Sequence, residues 1–145
     1  MSAEAPERDL LRLERVVEHC DAVAERIGRF SISRESFAAD SALRDLLLTP
    51  VSQIGELGGK LSEATRSSCL GEDTWRQVRG FRNLFVHVYD RVDVDIAWDI
   101  ATRDVPALRE GVLSYLSSLG PRRGVAGPGP SGPGSVFDGA PRLEG

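Results

Sequence analysis

Long hydrophobic segments are missing from this 145-residue sequence. No uninterrupted apolar run approaches the roughly 20 residues that a membrane-spanning helix requires. The N-terminal stretch MSAEAPERDLLRLERVVEHC carries charges early and contains no apolar core of the kind found in a secretory signal peptide. With 41% hydrophobic and 28% charged residues, the composition is that of a soluble globular domain. We therefore expect a cytoplasmic protein with a real hydrophobic core.

Cysteine, histidine and lysine are also scarce. The two cysteines, Cys20 and Cys69, lie far apart in the sequence, and in a cytoplasmic chain they are expected to be reduced rather than paired. No C-x-x-C or H-x-x-x-H spacing occurs, so we expect no dedicated metal site. The phosphate-binding patterns G-x-x-x-x-G-K-[ST] and G-x-G-x-x-G are absent as well. The sequence therefore predicts neither a metal ion nor a cofactor.

Positive charge is in short supply overall but is concentrated in one place. The net charge of −4 argues against a protein that coats nucleic acid without specificity. Residues 75–91 nevertheless hold four arginines, Arg76, Arg79, Arg82 and Arg91, against a single acid, Asp90. Lys60 is the one lysine beside 17 arginines, an imbalance that we attribute mainly to the base composition of the genome.

Glycine and proline are unevenly distributed. From Gly120 the chain reads GPRRGVAGPGPSGPGSVFDGAPRLEG, and half of these residues are glycine or proline. Such a segment cannot bury enough apolar surface to offset the entropy lost on ordering. We therefore predict a helical domain over residues 1–119 and a disordered tail over 120–145. The tail is expected to be a featureless extension rather than a partner-binding arm.

Helical periodicity dominates the chain before the tail. Apolar residues recur at helical spacing over residues 7–29, and Gly28 lies where a helix-ending residue is expected. Ser33 is a candidate N-cap for a short helical turn. Residues 40–66 predict a long helix that Pro50 kinks or interrupts.

Capping residues and glycine predict the remaining boundaries. One helix is predicted over residues 74–89, with Asp73 or Thr74 as its cap. The last helix is predicted to start at Asp104 and Pro106 and to end at Ser118, before Gly120. The pattern amounts to four main helices plus short ones, with connections short enough for antiparallel neighbours. The fold class that we expect is all-α, an antiparallel up-and-down helical bundle.

The stretch FRNLFVHVYD, residues 81–90, mixes polar and apolar side chains. At 100° per residue, one arc of the predicted helix is apolar and packs into the bundle: Phe81, Leu84, Phe85 and Val88. The opposite arc, with Val86 in its midst, is polar: Arg79, Arg82, Asn83, His87, Tyr89 and Asp90. Two interpretations of this polar arc remain open, a solvated surface or a functional site.

Chemistry favours a site. Histidine is the side chain whose ordinary pKa lies near neutrality, so His87 is suited to proton transfer. The guanidinium of Arg82 matches phosphate oxygens, and RNA carries its own nucleophile in the 2′-OH. Arg82 and His87 are about 140° apart on an ideal helix, so one copy does not bring them together easily. Two antiparallel copies could do so, which predicts a symmetric homodimer with a composite site.

These residues also carry a resemblance to a known family. The sequence RNLFVHVY is similar to the R-x-x-x-x-H-x-Y motif of HEPN-superfamily ribonucleases, and more narrowly to HepT-like toxins of prokaryotic toxin–antitoxin pairs. The resemblance spans about residues 8–118. It includes VSQIGEL at 51–57, TWRQVRGFRN at 74–83 and VYDRVDVDIAWDIATRDVPALREGV at 88–112. The arginine–histidine spacing alone is a weak indicator of the family, because many sequences contain it by chance. The longer pattern W-R-x-x-x-G-x-R-N-x-x-x-H-x-Y, residues 75–89, is specific.

The resemblance implies a dimeric HEPN-type helical bundle that acts as a metal-independent endoribonuclease. Arg82 and His87 match the two motif positions that line the cleft, and Asn83 matches a supporting polar residue. Tyr89 matches the tyrosine to which an MntA-like nucleotidyltransferase antitoxin transfers AMP. Arg79 and Arg76 are added as candidate RNA-binding residues. The alternative is a non-catalytic HEPN module that binds RNA or nucleotide, or that docks a nucleotidyltransferase.

Other residues that could carry chemistry are assigned structural roles. Glu56 and His19 are interpreted as helix-surface residues, and Trp75 and Trp98 as core anchors rather than base-stacking platforms. Gly80 is interpreted either as a point of close helix approach or as a tolerated glycine within a helix.

Overall fold

The structure is a computed structural model that describes residues 6–84 and 93–120. These residues contain helices and turns but no strand, which confirms the predicted all-α class. The elements in these ranges are α1 (Glu7–Arg29), α2 (Arg34–Ala39), α3 (Ser41–Lys60), α4 (Glu63–Ser68), α5 (Glu72–Gly80), a 3-10 turn (Phe81–Asn83), α6 (Val94–Asp99), a π-helical segment (Ile100–Asp104) and α7 (Val105–Ser118). The predicted tail lies, after Gly120, outside the described residues.

α3 is the central helix of the bundle. It packs against α1, α2, α5 and the 3-10 turn, while α1 also packs against α7 and α2 against α6. The buried side chains of these elements form one hydrophobic core, whose largest members include Trp75, Phe37, Phe81, Leu13, Leu47, Ile54 and Leu108. Across residues 6–84 and 93–120, every helix is too short or too polar to cross a lipid bilayer.

The first helix confirms the periodicity argument. α1 buries one face at helical spacing through Leu10, Leu13, Val16, Cys20 and Val23. It continues through Gly28 to Arg29, and the residue with left-handed backbone that follows its end is Ser31, with φ of 50°. Ser33 caps α2 as predicted, because its hydroxyl accepts a 3.1 Å hydrogen bond from the amide of Ser36.

The long helix predicted over residues 40–66 ends earlier in the structure, and of the two effects predicted for Pro50 the interruption does not occur. α3 is not interrupted at Pro50 but continues to Lys60. The chain then turns at Leu61, and Ser62 caps the separate helix α4, so the prediction of one helix to residue 66 was wrong. Pro50 is tolerated because the carbonyl of Leu46, which has no proline amide to bind, accepts a 2.7 Å hydrogen bond from Arg26 Nη1.

The helix that carries the arginines begins and ends differently from the prediction. α5 starts at Glu72 after Gly71, whose φ is 90° and which offers no side-chain cap. Capping by Asp73 or Thr74 was therefore wrong, since both residues lie inside the first turn. The α-helix ends at Gly80 and tightens into the 3-10 turn, and the remainder of the predicted helix, 85–89, lies outside the described residues.

The last helix is not capped by Asp104. Asp104 has helical backbone angles and accepts no capping hydrogen bond, because the π segment runs directly into α7. Pro106 lacks an amide hydrogen, so the regular pattern must be broken near this position, and the wider π turn lies immediately before it. α7 ends at Ser118 as predicted, and Gly120 follows with φ of 94°.

Candidate active site

The candidate site is built where α5 and the 3-10 turn cross α3. Three glycines of α3, Gly55, Gly58 and Gly59, lie three and four residues apart and therefore share one face of the helix. This glycine face is turned toward the elements that carry the arginines. Because glycine has no side chain, the two backbones can approach more closely here than elsewhere.

The closest approach joins Gly55 to the backbone at Arg82. A methyl group added at Gly55 would lie 2.5 Å from the amide nitrogen of Arg82, 3.2 Å from its Cα and 3.1 Å from the carbonyl oxygen of Val78. These are main-chain atoms, so no side-chain rotation can make room. The 3-10 turn is therefore held directly against the backbone of α3.

One helical turn further along α3, Gly58 contacts side chains instead. A methyl group there would lie 3.1 Å from Trp75 Cε3 and 3.1 Å from Val78 Cγ1. Trp75 is fully buried, and its indole nitrogen donates a hydrogen bond to the carbonyl of Cys69. This pair of contacts anchors α5 in the core and confirms that Trp75 is a core residue.

The 3-10 turn aligns two arginines. Gly80 and Phe81 have ψ values of −19° and −28°, in the range of a 3-10 helix, where residues three apart eclipse one another. Arg79 and Arg82 are three residues apart, and the side chains of both reach the edge of α3 at Gly59. A methyl group at Gly59 would lie 3.5 Å from Arg82 Nη1 and 3.7 Å from Arg79 Cδ. We call these two residues the arginine pair.

The arginine pair is oriented away from the core. Phe81 and Leu84 are 2% and 1% exposed, which confirms their assignment to the apolar arc. Arg82 is exposed, and Arg79 and Asn83 are half-buried. Within the described residues, the arginine pair forms no ion pair. Two guanidinium groups on one edge of the bundle make a local positive field that favours an anion.

Arg76 differs from the arginine pair. Its Nη1 lies 2.8 Å from Asp73 Oδ1, and both side chains are about two-thirds exposed. The neighbouring carboxylate offsets the charge of Arg76, so Arg76 is the weaker candidate for binding a phosphate.

Much of the predicted motif falls beyond the described ranges. Phe85, Val86, His87, Val88, Tyr89, Asp90 and Arg91 lie outside the described residues. The pairing of Arg82 with His87 across a dimer therefore stays a prediction.

The remaining candidate residues lie on helix surfaces or in the core. Glu56 is exposed on α3, and His19 is half-buried on α1, where burial and the nearby charge of Arg15 lower its pKa. Trp98 is partly buried and packs against Phe37 with ring centroids 5.3 Å apart, consistent with its predicted role in the core. Gly80 is buried at the end of α5, and the choice between its two interpretations stays a prediction.

The thiols are placed in the core. Cys20 and Cys69 are both free and buried, and burial raises the pKa of Cys20 to about 12 and that of Cys69 further. Neither is suited to nucleophilic chemistry at neutral pH. In the part of the chain that the structure describes, no group of three histidine, cysteine or acidic side chains could hold a metal ion.

Sequence reasoning missed the glycine face. The stretch VSQIGEL carries part of the family resemblance and contains Glu56, but no role is predicted for Gly55, Gly58 or Gly59. The available signal was the spacing of three glycines at positions i, i+3 and i+4 of a predicted helix, which marks a face that another backbone can approach.

Comparison with known proteins assigns this bundle to a class of helical ribonucleases. The family model described as Ribonuclease HepT-like matches residues 20–114, which is well over half of the chain and includes the glycine face and the arginine pair. The chain belongs to the HepT-like ribonuclease family of the HEPN superfamily, as its motif residues indicate.

Two curated relatives carry names that include the word RNase. The protein named "Putative RNase TTE0752" from Caldanaerobacter subterraneus is 27% identical over 104 residues, which cover 72% of this chain and 90% of that protein. The protein named "Gamma-glutamylcyclotransferase and putative RNase MJ0434" from Methanocaldococcus jannaschii is 23% identical over 87 residues, which cover 60% of this chain and 39% of that protein. No solved structure gives a significant match.

Proposed function

We propose that this protein is a metal-independent endoribonuclease that acts as the toxin of a prokaryotic toxin–antitoxin pair. The observation that carries the proposal is the arginine pair, in which Arg82 is exposed and its backbone is held directly against α3, in a chain of the HepT-like ribonuclease family. Arginine forks are the side chains best matched to phosphate oxygens, and the family is one of ribonucleases, so the proposed substrate class is RNA whose phosphodiester backbone lies over this edge of the bundle.

The proposed reaction uses the 2′-OH of RNA as nucleophile. The 2′ oxygen attacks the adjacent phosphorus, the bond from phosphorus to the 5′ oxygen breaks, and a 2′,3′-cyclic phosphate is left. One proton leaves the 2′ oxygen and one is added to the departing 5′ oxygen. His87 moves one of these protons, while Arg82 stabilises the charge that develops on the phosphate oxygens. Arg79 and Asn83 hold and orient the scissile phosphate.

The proposed site takes residues from two chains. On an ideal helix Arg82 and His87 are about 140° apart, too far around to act on one phosphate from the same copy. A two-fold axis near Val86 would bring Arg82 of one protomer toward His87 of the other. The proposal therefore includes a homodimer with a composite site.

The proposed means of control is AMP transfer to Tyr89 by a nucleotidyltransferase antitoxin of the MntA type. The added phosphate is anionic and bulky, and it would occupy the place where the RNA backbone must bind. Incubation with such a partner and ATP should raise the intact mass of the protein by whole AMP units. The Tyr89→Phe variant should gain no mass, and a mass gain that persists in this variant would place the modification elsewhere.

The test is expression without any partner. Wild-type protein should arrest growth and cleave RNA in the presence of EDTA. Arg82→Ala should lower the cleavage rate about 100- to 1,000-fold through lost charge stabilisation. His87→Ala should lower it by about 100- to 10,000-fold through lost proton transfer. Arg15→Ala is the matched control, because Arg15 is an exposed arginine on α1, and this variant should cleave like wild type.

Two results would contradict the proposal. If wild-type protein leaves growth and RNA intact, the chain is a non-catalytic module that binds RNA or a nucleotidyltransferase. If cleavage stops in EDTA and returns with a divalent cation, the reaction is not metal-independent.

A further inference from the structure

The contact between Gly55 and Arg82 differs in kind from the other close glycine contacts of the bundle. At Gly58 and Gly111, an added methyl group would meet side chains: Trp75 and Val78 at the first, and Leu70 at 2.7 Å at the second. Side chains can rotate or shift locally. At Gly55 the neighbours are the amide nitrogen and Cα of Arg82 and the carbonyl oxygen of Val78, which move only if the chain itself moves.

The contact lies where the α-helix changes into the 3-10 turn. The amide of Phe81 donates to the carbonyl of Val78, three residues earlier, which is the 3-10 pattern. Gly55 is placed against that same carbonyl and against the next residue, Arg82. Any displacement of the backbone from α3 at this point would change the turn that aligns the arginine pair over Gly59.

We propose that Gly55 is a positioning residue for Arg82: by admitting the backbone of the 3-10 turn to α3, it sets where the guanidinium group of Arg82 meets the RNA phosphate. The inference rests on the proposed function, since it assigns Gly55 a role in the same site. Gly55 touches no substrate and acts through Arg82. A Gly55→Ala change must separate Arg82 from α3 by roughly 1 Å to restore ordinary van der Waals contact.

The test compares Gly55→Ala with Gly58→Ala. Both variants add one methyl group to the same face of α3, and both strain its contact with α5, so both should lower the melting temperature. Cleavage of a fluorophore-labelled random-sequence RNA is measured where both are fully folded. Gly55→Ala should lower kcat/KM about 100-fold, mostly through kcat, because a 1 Å misplacement of a charge-stabilising group has that order of effect. Gly58→Ala should retain wild-type kcat.

A second arm separates positioning from general weakening. In an Arg82→Ala background, Gly55→Ala should cause no further loss of kcat while still lowering the melting temperature, because the residue through which it acts is gone. Equal losses of kcat from Gly55→Ala with and without Arg82 would overturn the proposal. Equal loss of kcat in Gly55→Ala and Gly58→Ala would overturn it too.

A third measurement, the comparison of crystal structures, tests the role of Gly55 even if the protein cleaves no RNA. Crystal structures of Gly55→Ala and Gly58→Ala are superposed on α3. Displacement of the Arg82 Cα by roughly 1 Å in the first variant and not in the second supports the positioning role of Gly55. An unmoved Arg82 in Gly55→Ala overturns it. Absence of cleavage by wild type, together with a displaced Arg82, would reject the nuclease proposal while leaving the positional role of Gly55 intact.

Discussion

Arg26 on α1 donates a 2.7 Å hydrogen bond from Nη1 to the main-chain carbonyl of Leu46 on α3. Leu46 lies four residues before Pro50, so this is the carbonyl that an α-helix would satisfy with the amide that proline lacks. The arginine thus takes the place of the missing donor and ties α1 to the central helix.

Arg26→Ala should destabilise the fold by about 1–3 kcal/mol, because it leaves the carbonyl of Leu46 without its donor. Urea denaturation followed by circular dichroism measures the free energy of unfolding. Arg29→Ala is the matched control, since Arg29 lies one turn later on α1 and stacks on the exposed ring of Phe30 instead. A cost no larger than that of the control would show that the hydrogen bond contributes nothing.

The same contact predicts a coupling with the proline. In a Pro50→Ala background, the new amide can bind the carbonyl of Leu46, so Arg26→Ala should cost less than it does in wild type. The double-mutant cycle measures this difference in the free energy of unfolding. Additive effects of the two changes would mean that Arg26 stabilises α3 for another reason.

Asp9 should make the fold sensitive to acid. Its carboxylate is fully buried and accepts hydrogen bonds from Thr65 Oγ1 at 2.6 Å and Ser62 Oγ at 2.7 Å, with Arg12 Nη1 3.2 Å away. Burial raises the pKa of Asp9, but the hydrogen bonds from Thr65, Ser62 and Arg12 outweigh burial and hold the pKa below its ordinary value of 3.8. The group thus joins the start of α1 to the start of α4.

Because the pKa of Asp9 is lower in the folded than in the unfolded chain, its contribution is complete above the ordinary value and is lost as the pH falls through the lowered one. Asp9→Asn should cost about 1–3 kcal/mol at neutral pH, since an amide cannot accept from all these donors. The free energy of unfolding of this variant should also fall less steeply than that of wild type below about pH 4. Denaturation curves from neutral to acid pH measure both, and parallel pH profiles would contradict the role of Asp9.

Co-expression of two impaired variants tests the composite site. Dimers of Arg82→Ala alone or of His87→Ala alone should cleave at about 1% of the wild-type rate or less. A mixed dimer keeps one site in which Arg82 and His87 are both present. Random assembly should therefore restore roughly a quarter of the wild-type cleavage rate, because half of the dimers are mixed and each has one intact site of two.

Purification with two different affinity tags isolates the mixed dimer for this assay. A mixed dimer without activity would place Arg82 and His87 of the same chain in one site. A chain that stays monomeric by light scattering while cleaving RNA would remove the dimer from the mechanism altogether.

Hydrophobic periodicity predicted the features that are determined within a single helix. The buried face of α1 and the assignment of Phe81 and Leu84 to the core follow from residue spacing, because the apolar side of an amphipathic helix must be covered. The end of α7 before Gly120 follows from the same local rules. These features need no knowledge of the neighbouring elements.

The features that the sequence did not reveal depend on a second element. Pro50 predicted either a kink or an interruption of α3, and the helix is not interrupted because Arg26, the compensating donor, lies on another helix. Asp104 looked like a cap because a π segment has no simple sequence signature. The approach of Gly55 to Arg82 needed the crossing of α3 and α5, which spacing on either helix does not supply. His87 and Tyr89 remain sequence predictions, since they lie outside the described residues.

The position of Trp75 has an optical consequence. Its indole is fully buried between α5 and α3, directly beneath Gly58 and one helical turn from the Gly55 contact. Indole emission responds to the polarity and packing around the ring, so the fluorescence of Trp75 reports on the spacing of the two helices that form the candidate site. With Trp98 replaced by phenylalanine, Trp75 would be an intrinsic fluorescence probe of that spacing, and its emission could be followed in solution as RNA or a partner protein is added.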